Sequence, residues 1–160
     1  MKEDSPSFIF APDPSHPGWH RWSAEDDARF NQQVLGLLLA RKEDGPGGVP
    51  MLRLRMFPEV RHSNMMGTVH GGTIMALSDV ILFAAFHVLS AGDAEGAVTL
   101  DMSHQFLGAG TIDQPLDAVA EILRETGRLA FLRGTIEQDG NLIAAFSATI
   151  RKPTRPRNPA

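Results

Sequence analysis

The sequence predicts an α+β fold in which an antiparallel β-sheet packs on one long buried helix. Residues 73–89 are apolar on almost every side, which is typical of a helix in a protein core. The segment MLRLRMF before them alternates apolar residues with Arg, which is the period of a half-buried strand. Four β-type segments follow the helix, and their short connections favour antiparallel neighbours. They are residues 97–107, 115–125, 129–138 and 141–152.

The N-terminal part of the chain, residues 1–48, is predicted to form an arm and an extra helix. Residues 1–22 contain four prolines and little periodicity, so we expect them to lie over the surface. Ser23 can cap a helix, and the acidic residues after it favour the positive end of a helix dipole. The apolar face of this helix would consist of Phe30, Val34, Leu37 and Leu38. A Gly/Pro turn at residues 45–48 should end it.

The length and composition predict a single domain over residues 1–160, with its core at about residues 49–152 and a flexible tail at 153–160. A net charge of −4 provides no positive field for nucleic acid or an anionic membrane, so neither partner is expected. The sequence has no cysteine, which excludes disulfides and thiolate nucleophiles. The N-terminus lacks the basic start and apolar core of a secretory signal, and we expect a cytoplasmic protein.

One carboxylate, Asp79, interrupts the apolar run. A membrane span needs about 20 apolar residues, so this shorter and interrupted run predicts a core helix. Because burial of an unpaired carboxylate costs several kcal/mol, Asp79 should be paired, protonated or exposed to a cleft, and such a cleft is a candidate site. The sheet of one chain covers only one side of such a helix. The remaining apolar face therefore predicts a homo-oligomer.

The motif residues resemble those of hotdog-fold acyl-CoA thioesterases of the phenylacetate-degradation type, which are related to the 4-hydroxybenzoyl-CoA thioesterases. The residues that carry the resemblance are Asn64, Gly67, His70, Gly71, Gly72, Leu77 and Asp79. The segments TLDMSHQFLGAG and EILRETGRLAFLRGTIEQDGNLIAAFSATI agree with the family's later strands, and the match covers about residues 50–152. The resemblance implies a sheet wrapped around the central helix, a dimer at least with a tetramer left open, and hydrolysis of acyl-CoA thioesters. Coenzyme A would be part of the substrate, and no separate cofactor is implied.

The resemblance assigns Asp79 as the nucleophile on the acyl carbonyl or as the general base for water. The Gly71 N–H, at the positive end of the helix, would polarise the carbonyl oxygen. Eight residues separate the two groups, which is about 12 Å along one helix. If both act on one carbonyl, Asp79 must come from one subunit and Gly71 from its neighbour, with antiparallel helices across a two-fold axis.

Three further residues are predicted in the site by motif position. Asn64 would bind the substrate or the attacking water, although Asn is also a good turn residue. His70 would contact the thioester, or its side chain would instead order the loop. Thr99 would help to position water, or its hydroxyl would be satisfied in the strand ladder.

Substrate contacts are predicted from the helix and from a group of arginines. Gly71 and Gly72 have no side chain to obstruct an approaching group, and the candidate acyl-pocket residues are Met75, Val80 and Phe83. Coenzyme A also brings phosphates, for which the candidate partners are Arg124, Arg128 and Arg133 near the TGR turn. Arginines at strand edges are also commonly just solvated.

Other functions remain as alternatives. Three histidines, His62, His70 and His104, invite a metal hypothesis, but no metal-ligand spacing supports it, and no metal is expected. A hotdog hydratase would need an Asp and a His in a spacing that the sequence lacks. The alternative to a thioesterase is therefore a non-catalytic acyl-CoA-binding protein of the same fold, which would bind thioesters with or without Asp79.

Overall fold

The structure, a computed structural model, describes residues 8–92 and 94–153 and confirms the predicted α+β architecture. Eight strands form one antiparallel sheet, and one long α-helix packs against it. The strands are β1 (Phe8–Pro12), β2 (His20–Ala24), β3 (Leu38–Asp44), β4 (Pro50–Met56), β5 (Val98–Phe106), β6 (Leu116–Glu125), β7 (Leu129–Gln138) and β8 (Asn141–Arg151), and the helix is α1 (Gly71–Leu89). The order across the sheet is β1-β2-β3-β4-β6-β7-β8-β5.

The strand before the helix and the four strands after it are confirmed close to their predicted bounds. The turn between β7 and β8 shows why their connection could be read from the sequence. Asp139 has φ of 48° and Gly140 has φ of 77°. A two-residue hairpin needs this left-handed backbone at both positions, and Asp-Gly tolerates it well. Local turn chemistry therefore fixed this part of the sheet.

The helix α1 is the centre of the core. Leu77, Ile81 and Phe86 are fully buried against the sheet. By length and composition α1 could cross a membrane, but half of its apolar window is buried inside this fold. The sheet leaves a line of residues along α1 partly or fully accessible, and we call it the open stripe: Gly72, Met75, Ala76, Asp79 and Phe83. Its spacing of three and four residues places these side chains on one face.

The predicted N-terminal helix is wrong. The described part of residues 1–48 forms three strands, and helical backbone is limited to short segments, the π-helical turn Asn31–Leu35 and the 3₁₀ turn Pro46–Gly48. Gly36, with φ of 77°, ends the π-helical turn. The four residues of the expected apolar helix face do not pack together in the core. Phe30 is 57% exposed, and Leu38 is the first residue of a strand. Pairing of β3 with β4 and β2 supplies backbone hydrogen bonds that override the helical spacing.

The ends of the chain lie partly outside the described residues. Residues 1–7 of the expected arm and residues 154–160 of the expected tail belong to this part. From Phe8 onward, the arm is a β-hairpin of β1 and β2 that extends the sheet. Trp22 on β2 is 2% exposed and belongs to the core. We call the segment Phe8–Ala24 the N-terminal hairpin.

An ion cluster on the outer face of the sheet holds four strands together. Arg53 on β4 donates to Glu43 on β3 at 2.8–2.9 Å, to Asp117 on β6 at 3.0 Å and to Glu137 on β7. The hydrogen bonds that Arg53 donates to Glu43 and the other carboxylates raise its pKa despite its partial burial. Arg55 also donates to Asp117, at 2.7 and 2.8 Å. The cluster fixes β3, which carries the N-terminal hairpin, to the rest of the sheet.

We expect Gly134→Ala to destabilise the protein, because a Cβ at this position on β7 would overlap the Val119 carbonyl oxygen and the Phe146 ring. The free energy of unfolding should fall by about 1–3 kcal/mol, the usual cost of overpacking a core. Urea denaturation measures this loss. Gly127→Ala is the matched control, since nothing lies within 4 Å of a Cβ there. Equal stability of the two variants would contradict the packing argument.

Candidate active site

Asp79 and Thr99 form the centre of the candidate site. Asp79 lies half-buried on the open stripe, and the Thr99 hydroxyl on β5 donates a hydrogen bond to Asp79 Oδ1 at 2.7 Å. The sequence predicts that this carboxylate is paired, protonated or exposed to a cleft. Asp79 is both paired and exposed to a cleft, because it accepts this hydrogen bond and lines a cavity. The hydroxyl of Thr99 is used here and not in the strand ladder.

A β-bulge brings Thr99 into this position. The register between β5 and β8 shifts between Thr99 and Asp101, so that Leu100 is the extra residue. Thr99 and Met102 are therefore both partly buried, while Leu100 and Asp101 between them are exposed. Without the bulge, strict alternation would place Thr99 and Met102 on opposite faces. The bulge thus turns the Thr99 hydroxyl toward α1.

Asp79 lines a cavity of about 260 Å³. Two of the three predicted acyl-pocket residues, Val80 and Phe83, lie in its lining, whereas Met75 lies outside it on the N-terminal half of α1. The full lining consists of Phe8, Trp22, Asn31, Asp79, Val80, Phe83, Ala94, Gly96 and Ala97. Sequence reasoning missed the part from the N-terminal hairpin and the π-helical turn. The signal that could have found the hairpin was the apolar, aromatic-rich segment FIFAP and the segment HRWSA on either side of a Pro/Gly-rich turn.

The N-terminus of α1 forms a second group of predicted residues. His70 is the N-cap, and its Nδ1 accepts the N–H of Gly72 at 2.8 Å. This use of Nδ1 makes Nε2 the proton-bearing nitrogen of the neutral ring. In the described chain the structure gives no acceptor for the Gly71 N–H, which lies in the first turn where helix N–H groups have no partner within the helix. Gly71, and not Gly72, therefore offers the free donor.

Asn64 orders the loop that leads to α1. Its Nδ2 donates to Thr68 Oγ1 at 2.8 Å, and its Oδ1 accepts the N–H groups of Met66 and Thr68 at 2.9 and 3.2 Å. Gly67, with φ of 76°, allows the turn between them. Within one chain the Asn64 amide is thus occupied by the loop.

His62 ties the same loop to the N-terminal segment. It is buried, its Nδ1 accepts the Glu59 N–H at 2.8 Å, and its Nε2 donates to the Val34 carbonyl at 2.6 Å. Its backbone carbonyl accepts the N–H of His70 at 2.8 Å. This histidine therefore holds the entry of α1 in place.

The predicted residues fall into two groups that one chain does not bring together. Asp79 lies beside Thr99, Val80 and Phe83, whereas His70, Gly71 and Gly72 lie at the helix N-terminus. The eight-residue separation along α1 is about 12 Å, and both groups border the open stripe. One chain therefore carries two separate candidate half-sites.

The predicted phosphate-binding arginines lie on β6, on β7 and in the turn between them. Arg124 and Arg128 are exposed, and Arg133 donates to Glu121 at 2.7 Å. The turn lies at the C-terminal end of α1, where Glu125 accepts hydrogen bonds from Ser90 and Lys152. The structure thus groups Arg124 and Arg128 on an exposed edge and gives Arg133 an acidic partner.

A polar pair beside the candidate site is a further feature that the sequence did not reveal. Ser78, fully buried on α1, accepts the Nε2–H of His104 on β5 at 3.0 Å and donates to the Ile74 carbonyl at 2.9 Å. Burial lowers the pKa of His104, which favours the neutral ring. No cluster of three His, Cys, Asp or Glu side chains suited to a metal occurs within residues 8–92 and 94–153.

Comparisons with known proteins identify the family and the fold of the chain. A family model described as the thioesterase superfamily matches residues 66–145. The structure is similar to thioesterase superfamily member 2 from Mus musculus, with 26% identity, a TM-score of 0.62, and coverage of 78% of this chain and 90% of that chain. The zebrafish member 2 structure has 25% identity, a TM-score of 0.59, and coverage of 71% and 80%.

The E. coli PaaI protein from the phenylacetic acid degradation operon has 18% identity, a TM-score of 0.62, and coverage of 81% of this chain and 86% of that chain. At that identity the likeness shows the fold alone. These matches confirm the hotdog fold. No curated protein sequence gives a significant match.

We expect His70→Ala to lower the free energy of unfolding by about 0.5–2 kcal/mol, because the variant loses the side-chain acceptor for the Gly72 N–H. His70→Asn should keep most of the stability, since Asn is a good N-cap residue. Chemical denaturation of both variants measures the difference. If the Asn variant is as unstable as the Ala variant, His70 does not act as the cap.

Proposed function

The chain belongs to the thioesterase superfamily, and we propose that it hydrolyses an acyl-CoA thioester to a carboxylic acid and free CoA. The observation that carries the proposal is the Asp79 carboxylate, held by the Thr99 hydroxyl at 2.7 Å, in a cavity between the helix and the N-terminal hairpin. A carboxylate in such a position can attack a carbonyl carbon or remove a proton from water. The reaction needs water and no cofactor.

The proposed site contains groups from two subunits. Asp79 of one chain and the Gly71 N–H of its partner would act on the same carbonyl, since about 12 Å along α1 separates these groups within a chain. The open stripe supports this arrangement, because it leaves Met75 and Ala76 accessible between the two half-sites. β5 also lies at the edge of the sheet, with Leu100 and Phe106 exposed. A two-fold dimer would cover these apolar surfaces and complete the site twice.

The proposed reaction begins when the Gly71 N–H donates to the thioester carbonyl oxygen and stabilises the negative charge that develops there. The Thr99 hydroxyl donates to Oδ1 of Asp79, which leaves Oδ2 available for the proposed chemistry. In one route, Oδ2 attacks the carbonyl carbon, the C–S bond breaks to release CoA thiolate, and water then hydrolyses the resulting anhydride. In the other route, Oδ2 takes a proton from water, the water oxygen attacks the carbonyl carbon, and the C–S bond breaks as this proton passes to the thiolate sulfur of CoA. Both routes yield the acid and the thiol.

We expect Asp79→Asn to lower kcat by roughly 100-fold or more, because an amide is neither an effective nucleophile nor a base. Thiol release from a panel of aryl, short, medium and long acyl-CoA thioesters measures the effect. Asp101→Asn is the matched control, since Asp101 is an exposed carboxylate two residues from Thr99. Equal turnover by wild type and Asp79→Asn would contradict the catalytic role. Thioester binding without turnover in either protein would favour the non-catalytic acyl-CoA binder.

We expect Gly71→Pro to remove the oxyanion donor with little effect on the helix. Gly71 is the first residue of α1, where proline is well tolerated, and the extended backbone of His70 suits a residue before proline. Chains with Gly71→Pro and chains with Asp79→Asn should each be inactive in uniform dimers. A purified mixed dimer should recover about half of the wild-type activity, because one of its two sites then contains both intact groups. An inactive mixed dimer would show that both groups act within one chain.

A further inference from the structure

One wall of the Asp79 cavity comes from a part of the chain that the family match does not include. The match spans residues 66–145, whereas Phe8, Trp22 and Asn31 line the cavity from outside that range. Asp79, Val80 and Phe83 form the opposite wall on α1. The general thioesterase framework therefore supplies the carboxylate, and the N-terminal segment of this chain supplies the surface across from it.

The aromatic part of this wall is held firmly. The rings of Phe8 and Trp22 stack with centroids 4.8 Å apart at an interplanar angle of 17°. Trp22 is 2% exposed and its strand pairs with β1 along the full length of the hairpin. The hairpin is joined to β3 by the pairs His20 with Ala40 and Arg21 with Leu39. Stacked aromatic rings on a paired strand form a wall with little freedom to move.

The aromatic wall lies closer to the C-terminal end of α1 than the Asp79 carboxylate does. Phe83 lies one turn beyond Asp79, about 6 Å along the axis. Both Phe8 and Trp22 also contact His87, one further turn along, with ring centroids 6.1 and 5.5 Å from it. An acyl group whose carbonyl lies at Asp79 and whose chain passes Phe83 therefore meets the Phe8–Trp22 pair.

We propose that the N-terminal hairpin closes the acyl end of the site and that Phe8 sets the longest acyl chain that the protein accepts. This inference rests on the proposed function and adds its specificity. Within one chain the cavity has a volume of about 260 Å³, and Phe8 and Trp22 line it while also contacting His87 further along α1. Phe8 is the member of the pair that can be substituted at lower cost to the fold, because it is only partly buried whereas Trp22 belongs to the core.

The test compares Phe8→Ala with Phe10→Ala on saturated acyl-CoA thioesters of increasing chain length. Phe10 is the matched control: it lies on the same strand with similar burial, but it stacks on His20 at 4.4 Å and does not line the cavity. For wild type and Phe10→Ala, kcat/KM should fall roughly 10-fold or more for each methylene beyond the limit. Phe8→Ala should move that limit to longer chains and raise the long-to-short ratio of kcat/KM by about 10-fold or more.

A second Phe8 variant covers the case in which Phe8→Ala is unstable. If Phe8→Ala does not fold, as judged by its melting temperature, Phe8→Leu keeps an apolar side chain and should give a smaller shift in the same direction. Identical chain-length profiles for wild type, the folded Phe8 variant and Phe10→Ala would overturn the inference.

Failure of the proposed function would give a different result, namely no hydrolysis of any thioester by wild type. In that case the same acyl-CoA thioesters serve as stable ligands. Trp19→Phe leaves Trp22 as the only tryptophan, so its fluorescence reports on the wall. Quenching by short chains alone, extended to long chains by Phe8→Ala, would support the wall without catalysis. Quenching that does not depend on acyl chain length, or no quenching at all, would overturn the inference about the wall.

Discussion

The structure depends on the need to cover a helix that is apolar on nearly every side. The sheet buries residues such as Leu77, Ile81 and Phe86, but a sheet of one chain cannot enclose the whole helix. The open stripe is what remains. Asp79 is tolerated because it lies on this stripe, where the cavity gives it access and Thr99 gives it a hydrogen bond. The constraint that builds the core thus also decides where a carboxylate can be placed.

The geometry of the α-helix separates the two groups that the proposed reaction needs. The free N–H of Gly71 is available only in the first turn, and Asp79 lies two turns further along the same face. A single helix cannot bring both to one carbonyl, but two antiparallel helices can. In the proposed function, the open stripe both needs an apolar partner surface and contains a site that needs the Gly71 N–H of a second subunit. The same dimer contact would therefore serve stability and catalysis.

The N-terminal segment adds a layer of structure to this framework. It extends the sheet beyond β4 through β3, β2 and β1, and the cluster around Arg53 fixes that extension by charge on the outer face. The Trp19 ring also contacts Arg41 and Arg55, whose guanidinium carbons lie 4.4 and 4.6 Å from the ring centroid. On the inner side, Phe8 and Trp22 reach the cavity. The outer contacts are ion pairs and cation–π contacts, and the inner ones are stacked aromatic rings, so one hairpin both anchors itself and shapes the candidate site.

The sequence by itself determined the helix and the five strands around it, because periodicity and turns such as Asp139-Gly140 act between neighbours in the chain. The family resemblance identified the motif residues near the N-terminus of the helix. Only the tertiary structure decided the rest. The spacing of Phe30, Val34 and Leu38 favoured a helix, but pairing with β4 made Leu38 the start of a strand. The contact between Thr99 and Asp79 required a bulge at Leu100, and the cavity wall required Phe8 to approach Phe83 across the fold. Such contacts join distant residues, and their energy comes from pairing and burial that no local pattern encodes.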